Sequence, residues 1–167
     1  MTTSLTRLYG RIPGGERIQE AAPGGRGSVL TMLGALSLRG VHAMMTTEAL
    51  ANGDIFCAFL AAVLCPKLTP GDVVVLDNLG VHKIAGVRPL VEACGVRLLY
   101  LPPYSPDLNP IEKAWSKLKT LLRAAKARSQ EALQAAIAEL LADITSSDAH
   151  AWLRHCGIEL HHVSCCS

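Results

Sequence analysis

Val73-Val-Val-Leu-Asp77-Asn-Leu-Gly-Val-His82-Lys83, followed by Leu101-Pro-Pro-Tyr-Ser-Pro-Asp-Leu-Asn109-Pro110-Ile-Glu112, decides the fold of this chain. In the first stretch, four β-branched or Leu residues lie between Gly71 and the Asn78/Gly80 pair, and they predict a buried strand, covered on both faces, that ends in the carboxylate of Asp77. The second predicts a strand end, a proline-rich turn and a helix start, with Asn109 as N-cap, Pro110 at the first helical position and Glu112 at the third. The 34 positions from 78 to 111 that separate the carboxylates hold one crossover helix and one further strand, a βαβα unit. Such a unit brings both acids to one edge of a sheet, where α/β folds tend to place their sites.

Composition narrows the setting. The chain has 167 residues, one domain's worth; half are hydrophobic, and the formal net charge is only +2, so no global basic field marks it as a nucleic-acid binder. There is no apolar run long enough for a membrane span and no signal-peptide core, which predicts a cytoplasmic protein without a membrane partner. The six cysteines show no paired CxxC spacing, and three sit in apolar surroundings as free thiols of a reducing compartment.

Outward from the central stretches, residues 1–27 carry Arg7, Arg11, Arg17 and Arg26 among six glycines and two prolines, a solvated loop or a DNA-contacting arm. Val29 to Leu38 and Val41 to Thr47, joined by Arg39-Gly40, predict a β-hairpin. Asn52 caps a helix to Leu64 with Ile55, Phe56, Phe59, Leu60 and Val63 on one face. A helix from about Val87 to Ala93, closed by Gly95, precedes a strand from Val96 to Leu101. The helix from Pro110 to about Arg128 turns Ile111, Trp115, Leu118, Leu122 and Ala125 inward, and carries Lys113, Lys117, Lys119, Arg123, Lys126 and Arg128 as a solvated or phosphate-facing surface. Ser129 caps a helix to about Ile144, Ser146 or Ser147 starts a last one ending at Gly157, and the His161–Ser167 tail matches no zinc spacing. Domain boundaries are placed at 1–128 and 129–167, the second a helical extension and tail.

Asp77-Asn78, His82-Lys83 and the long string Pro102-Pro-Tyr-Ser-Pro-Asp-Leu-Asn-Pro-Ile-Glu112 resemble the catalytic core of the DDE transposases, in particular insertion-sequence enzymes of the mariner-like superfamily in bacteria. The resemblance runs from about Thr6 to about Arg128. It implies an α/β, ribonuclease-H-like mixed sheet flanked by helices, and metal-dependent cutting and joining of DNA ends. Under it, Asp77 and Glu112 are catalytic and hold Mg²⁺ or Mn²⁺, two ions in the complete site, because phosphoryl transfer of this kind uses hard oxygen ligands. Asn78 orients Asp77 or meets DNA. His82 touches a phosphate or caps the next helix, and Lys83, Lys117, Lys119 and Arg123 are candidate DNA contacts. The residue-level alternatives are an Asx turn at Asp77 and a capping box, Asn109 to Glu112.

The family has a third carboxylate, on the first and central strand of a sheet ordered 3-2-1-4-5. Only Met1-Thr-Thr-Ser4 precedes the segment that should follow it here, and none of these is acidic. The expectation is therefore an N-terminally truncated transposase lacking that strand, inactive as an isolated chain and poorly stable without a strand from Ser4–Tyr9, a second copy or an upstream fragment. Its partners are then insertion-sequence terminal repeats and target DNA. The rival reading is a non-enzymatic DNA-binding remnant that competes with intact transposase.

Overall fold

The computed structural model describes residues 30–127 and 129–158. Strands β1 (Thr31–Ser37) and β2 (Gly40–Thr47) form the expected antiparallel hairpin, turning through Leu38-Arg39 with Gly40 at φ 104°, a backbone region that favours glycine. The register steps between Ala35 and Leu36, where His42 is left without a partner. This bulge reverses the alternation of β2, so Val41 shares a face with Met44 while Ala43 and Met45 take the other. Both faces are then apolar, and both are covered.

The first face packs into a core with helix α1 (Gly53–Phe59), whose Phe56 and Phe59 are buried. The Asn52 side chain caps α1 by accepting from the Ile55 N–H at 2.9 Å. The helix continues to Leu64 as a π-helical turn rather than as α-helix. Strand β3 (Val73–Leu76), helix α2 (Val87–Glu92) and strand β4 (Arg97–Tyr100) complete the βαβ unit, with β3 and β4 parallel. Their inner face, with Val74 and Leu98, joins the α1 core. The other face corrects the expectation of a strand covered on both sides, since Val73, Val75 and Leu99 are exposed among the described residues. A run of four apolar residues specifies burial potential, but whether a second layer lies over it is a tertiary matter.

Helices α3 (Pro110–Ala125), α4 (Gln130–Leu140) and α5 (Ser146–His155) cover the second face of β1–β2. Leu30, Leu118, Leu122, Leu133 and Ile137 are buried there. Trp115 lies against the backbone of β1, and a Cβ on Gly34 would meet its ring at 2.7 Å, which is why that strand position has no side chain. The inward face of α3 is Ala114, Leu118 and Leu122, with Ile111 and Trp115 half-buried; Ala125 is exposed, one turn too late to reach the sheet. Ser129 caps α4 as expected, whereas α5 starts from Thr145, through a reciprocal capping box with Asp148.

Among the described residues the strands form two separate two-stranded sheets, and β1 and β3 have no strand partner on their other edges. The arginine-rich segment, Ser4–Tyr9 and the His161–Ser167 tail lie outside the described residues. Cys57, Cys65, Cys94 and Cys156 are free thiols. Burial and the neighbouring Cys94 push Cys65 up to about 11, a protonated and unreactive state at neutral pH. No helix among the described residues is long and apolar enough to cross a membrane.

Candidate active site

Parallel pairing of β3 with β4 sets the geometry. Both strands run toward the same edge, and the Leu101 N–H donates to the Leu76 carbonyl at 2.8 Å, holding the start of the proline loop beside the end of β3. Asp77 follows β3, and the loop after β4 leads through a 3₁₀ turn, Pro106–Leu108, into α3 and Glu112. Asp77, Asn78, Lys83, Tyr104, Asn109 and Glu112 therefore line one cleft of about 420 Å³.

Asp77 is held by one oxygen. Its Oδ1 accepts from the Leu79 N–H at 3.1 Å, the expected Asx turn, and from His82 Nδ1 at 2.6 Å. A carboxylate only accepts, so Nδ1 carries the proton. Oδ2 receives no hydrogen bond from the described residues, so the turn and a ligand role use different oxygens of one side chain. His82 is itself fixed: its ring lies 4.2 Å from that of Phe56, centroid to centroid, and its carbonyl accepts from the Tyr100 hydroxyl at 2.8 Å. It does not cap the next helix, whose N-cap position is Gly86 without a side-chain bond, which corrects that expectation; Phe56, far away in sequence, packs against the ring that bonds Asp77.

Asn78 does not hydrogen-bond Asp77, and its side-chain Oδ1 is buried without a partner. Glu112 is exposed; its backbone N–H donates to the Asn109 carbonyl at 3.2 Å, and its carboxylate has no hydrogen-bond or ion-pair partner among the described residues. Asn109 occupies the N-cap position of α3, but its side chain makes no cap bond, so the capping box that would have occupied Glu112 does not form. The carboxylate instead stands in the first helical turn.

The basic candidates separate. Lys83 is exposed and lines the cleft. Lys119 and Arg123 lie further along α3, outside that lining, with no acidic partner among the described residues. Lys117 is engaged within the fold: its ammonium donates to Asp148 and to the Asp143 carbonyl, each at 2.7 Å. That pairing joins α3 to α5 and, together with the Thr145 bonds, holds the Asp148 carboxyl down to about 2. Tyr104, wholly exposed in the proline loop, drew no notice from sequence, since aromatic residues are ordinarily buried.

Comparison with known proteins follows the same lines. The sequence profile of the family described as DDE superfamily endonuclease matches residues 2–134. The chain belongs to the DDE endonuclease superfamily. The fold is similar to that of the Mos1 transposase in its paired-end complex with the left transposon end, with a TM-score of 0.73 at 18% identity, over 94% of this chain and 48% of that one. It is also similar to the Mos1 strand transfer complex, with a TM-score of 0.62 at 20% identity, over 91% of this chain and 46% of that one. The chain thus spans about half the length of the Mos1 chains, and its mixed α/β architecture is ribonuclease-H-like. No curated protein matches it.

DDE endonucleases generally use divalent metal ions, and the donor set present here fits part of such a site. Asp77 Oδ2 and the Glu112 carboxylate are hard oxygen donors free of other partners, on one cleft. Among the described residues no group of three or more His, Cys, Asp or Glu side chains gathers to complete it.

Proposed function

We propose that this chain is the catalytic portion of an insertion-sequence transposase, acting on DNA ends by metal-dependent strand cleavage and transfer. The single observation behind the reading is that Asp77, with one oxygen left unbonded, and Glu112, whose carboxylate has no partner among the described residues, line one cleft at the C-terminal edge of a parallel strand pair. Asp77 and Glu112 would hold Mg²⁺ or Mn²⁺. Divalent ions bound there would activate the attacking oxygen and stabilise the leaving one. The protein's own part is orientation. His82 and the Leu79 N–H fix one Asp77 oxygen and leave the other for a ligand, and Lys83 would offer a charge to a phosphate in the same cleft. Terminal repeats and target DNA are the proposed partners, with a second copy or an upstream fragment supplying what the family site needs beyond these two acids; the cytoplasm is the proposed location.

The reading has two halves, tested separately. Manganese titrated into residues 1–167 should bind, and binding should be lost in Asp77→Ala and in Glu112→Ala; equal binding by those variants would remove the site. Residues 1–167 by themselves should bind DNA weakly, with steep salt dependence and without cleaving it, because the described residues gather two carboxylates in the cleft and no third. Joined to an upstream segment bearing an aspartate-containing strand, the same residues should cleave end-bearing duplexes with magnesium. A joined chain that binds manganese and DNA but never cuts would leave the non-enzymatic competitor as the correct description.

A further inference from the structure

The proline loop between β4 and α3 carries two features that the chemistry of the carboxylates does not use. Tyr104 has a relative exposure of 102%, as bare as a residue in an open chain. Its φ is 55°, in the left-handed region that residues with a β-carbon rarely enter. Nothing in the packing of the described residues rewards either feature, for the ring covers no core and makes no hydrogen bond. Strained backbone that the surroundings maintain is characteristic of functional loops. The surroundings here do maintain it: Pro102, Pro103 and Pro106 restrict the chain, the Ser105 hydroxyl donates to the Pro103 carbonyl at 3.2 Å, and the 3₁₀ turn anchors the loop to α3. The ring is thus presented in advance, on the lining that also holds exposed Leu79, Asp77, Lys83 and Glu112.

We propose that Tyr104 is a stacking platform for an unpaired nucleobase of the DNA end held in this cleft, an inference that rests on the functional reading above. A phosphodiester drawn to the carboxylate-bound cation and to Lys83 carries its flanking base along the same lining. Within a duplex both faces of a base are already stacked. A terminal or everted base has a free π-face, and a rigid aromatic ring matches it whatever its sequence. Loop preorganisation lowers the cost of that capture.

The test uses residues 1–167 with manganese and two duplexes of equal charge, one blunt and one ending in a short single-stranded overhang that contains iodouracil. Wild-type chain and Tyr104→Phe should prefer the overhang, and irradiation should crosslink the iodouracil to position 104. Tyr104→Ala and Tyr104→Gly should lose about five-fold or more in affinity for the overhang and little for the blunt duplex. Tyr104→Gly relieves the backbone and should melt no lower than wild type, which separates loss of stacking from loss of fold. Equal overhang binding by wild type and both truncations, or a crosslink mapping only elsewhere, would overturn the proposal while leaving the DNA-end reading in place. If neither duplex binds, both fall.

Discussion

The two strand pairs of this molecule are built from similar apolar residues and used differently. The β1–β2 hairpin lies between α1 on one side and α3 to α5 on the other, and its bulge at His42 aligns apolar residues to both layers. The β3–β4 pair is covered on one face by α1 and α2, while Val73, Val75 and Leu99 on its other face are between 41% and 50% exposed. Yet the candidate site grows from the less protected pair. Its position depends on where parallel strands end, not on how deeply they are buried, and among the described residues little is stacked above the proline loop and Asp77. Stability and chemistry are therefore largely separable here, and each prediction presses on that separation.

The largest effect is expected from the doubly covered side. Leu118→Ala, at a fully buried position facing β1–β2, should cost about 2–5 kcal/mol in urea unfolding. The same truncation at Leu99, half exposed, should cost about 1 kcal/mol or less. A comparable loss at Leu99 would mean that chain outside the described residues covers the bare face, and the contrast between the pairs would disappear.

The next effect belongs to the site. His82→Ala should weaken manganese binding about 10–100-fold, since groups that orient a metal ligand contribute on that order. It should leave DNA affinity without metal nearly unchanged. Unaltered manganese affinity would show that Asp77 needs no positioning partner, the Leu79 N–H being enough.

The smallest effect concerns the join between α3 and α5. Asp148 is held down to about 2 in the fold, first by Lys117 and then by Thr145, while an unfolded aspartate titrates near about 3.9. Its contribution is therefore present above about pH 4 and is lost as the pH falls toward about 2. The pair is partly solvated, so the contribution is on the order of 1 kcal/mol. Asp148→Asn should flatten the acid limb of the stability profile, and Lys117→Ala should flatten it in part. Neither should alter the salt dependence of DNA binding, whereas Lys83→Ala should reduce it; the opposite pattern would return Lys117 to the DNA surface.

Much of this was legible in the residues because it is local. Asn52 and Ser129 act as caps, the hairpin turns at Gly40, and the alternation of strand and helix between Asp77 and Glu112 forces a crossover that leaves both acids at one edge. Nearest-neighbour backbone chemistry and handed connections specify these features before any distant contact forms. Helix α3 shows where periodicity loses resolution. Its stripe predicts Leu118 and Leu122 correctly, but Ala114 rather than Ala125 is buried.

Distance in sequence accounts for what remained hidden. Lys117 carries a charge that sequence assigns to solvent, and only the docking of α5, 31 residues later, supplies Asp148 and consumes it. His82 is one polar residue near a strand end until Phe56 and Tyr100 arrive to lock it onto Asp77. Asn109 looks like a side-chain cap and is not one, which leaves Glu112 uncommitted. The residue types by themselves determined the main elements, their order and the placement of Asp77 and Glu112 at one sheet edge, since those follow from local propensity and chain connectivity. Which oxygen of Asp77 is free, which cation is paired within the fold and which face of β3 is bare among the described residues were decided only by tertiary structure, because each depends on a partner that the chain brings near solely by folding.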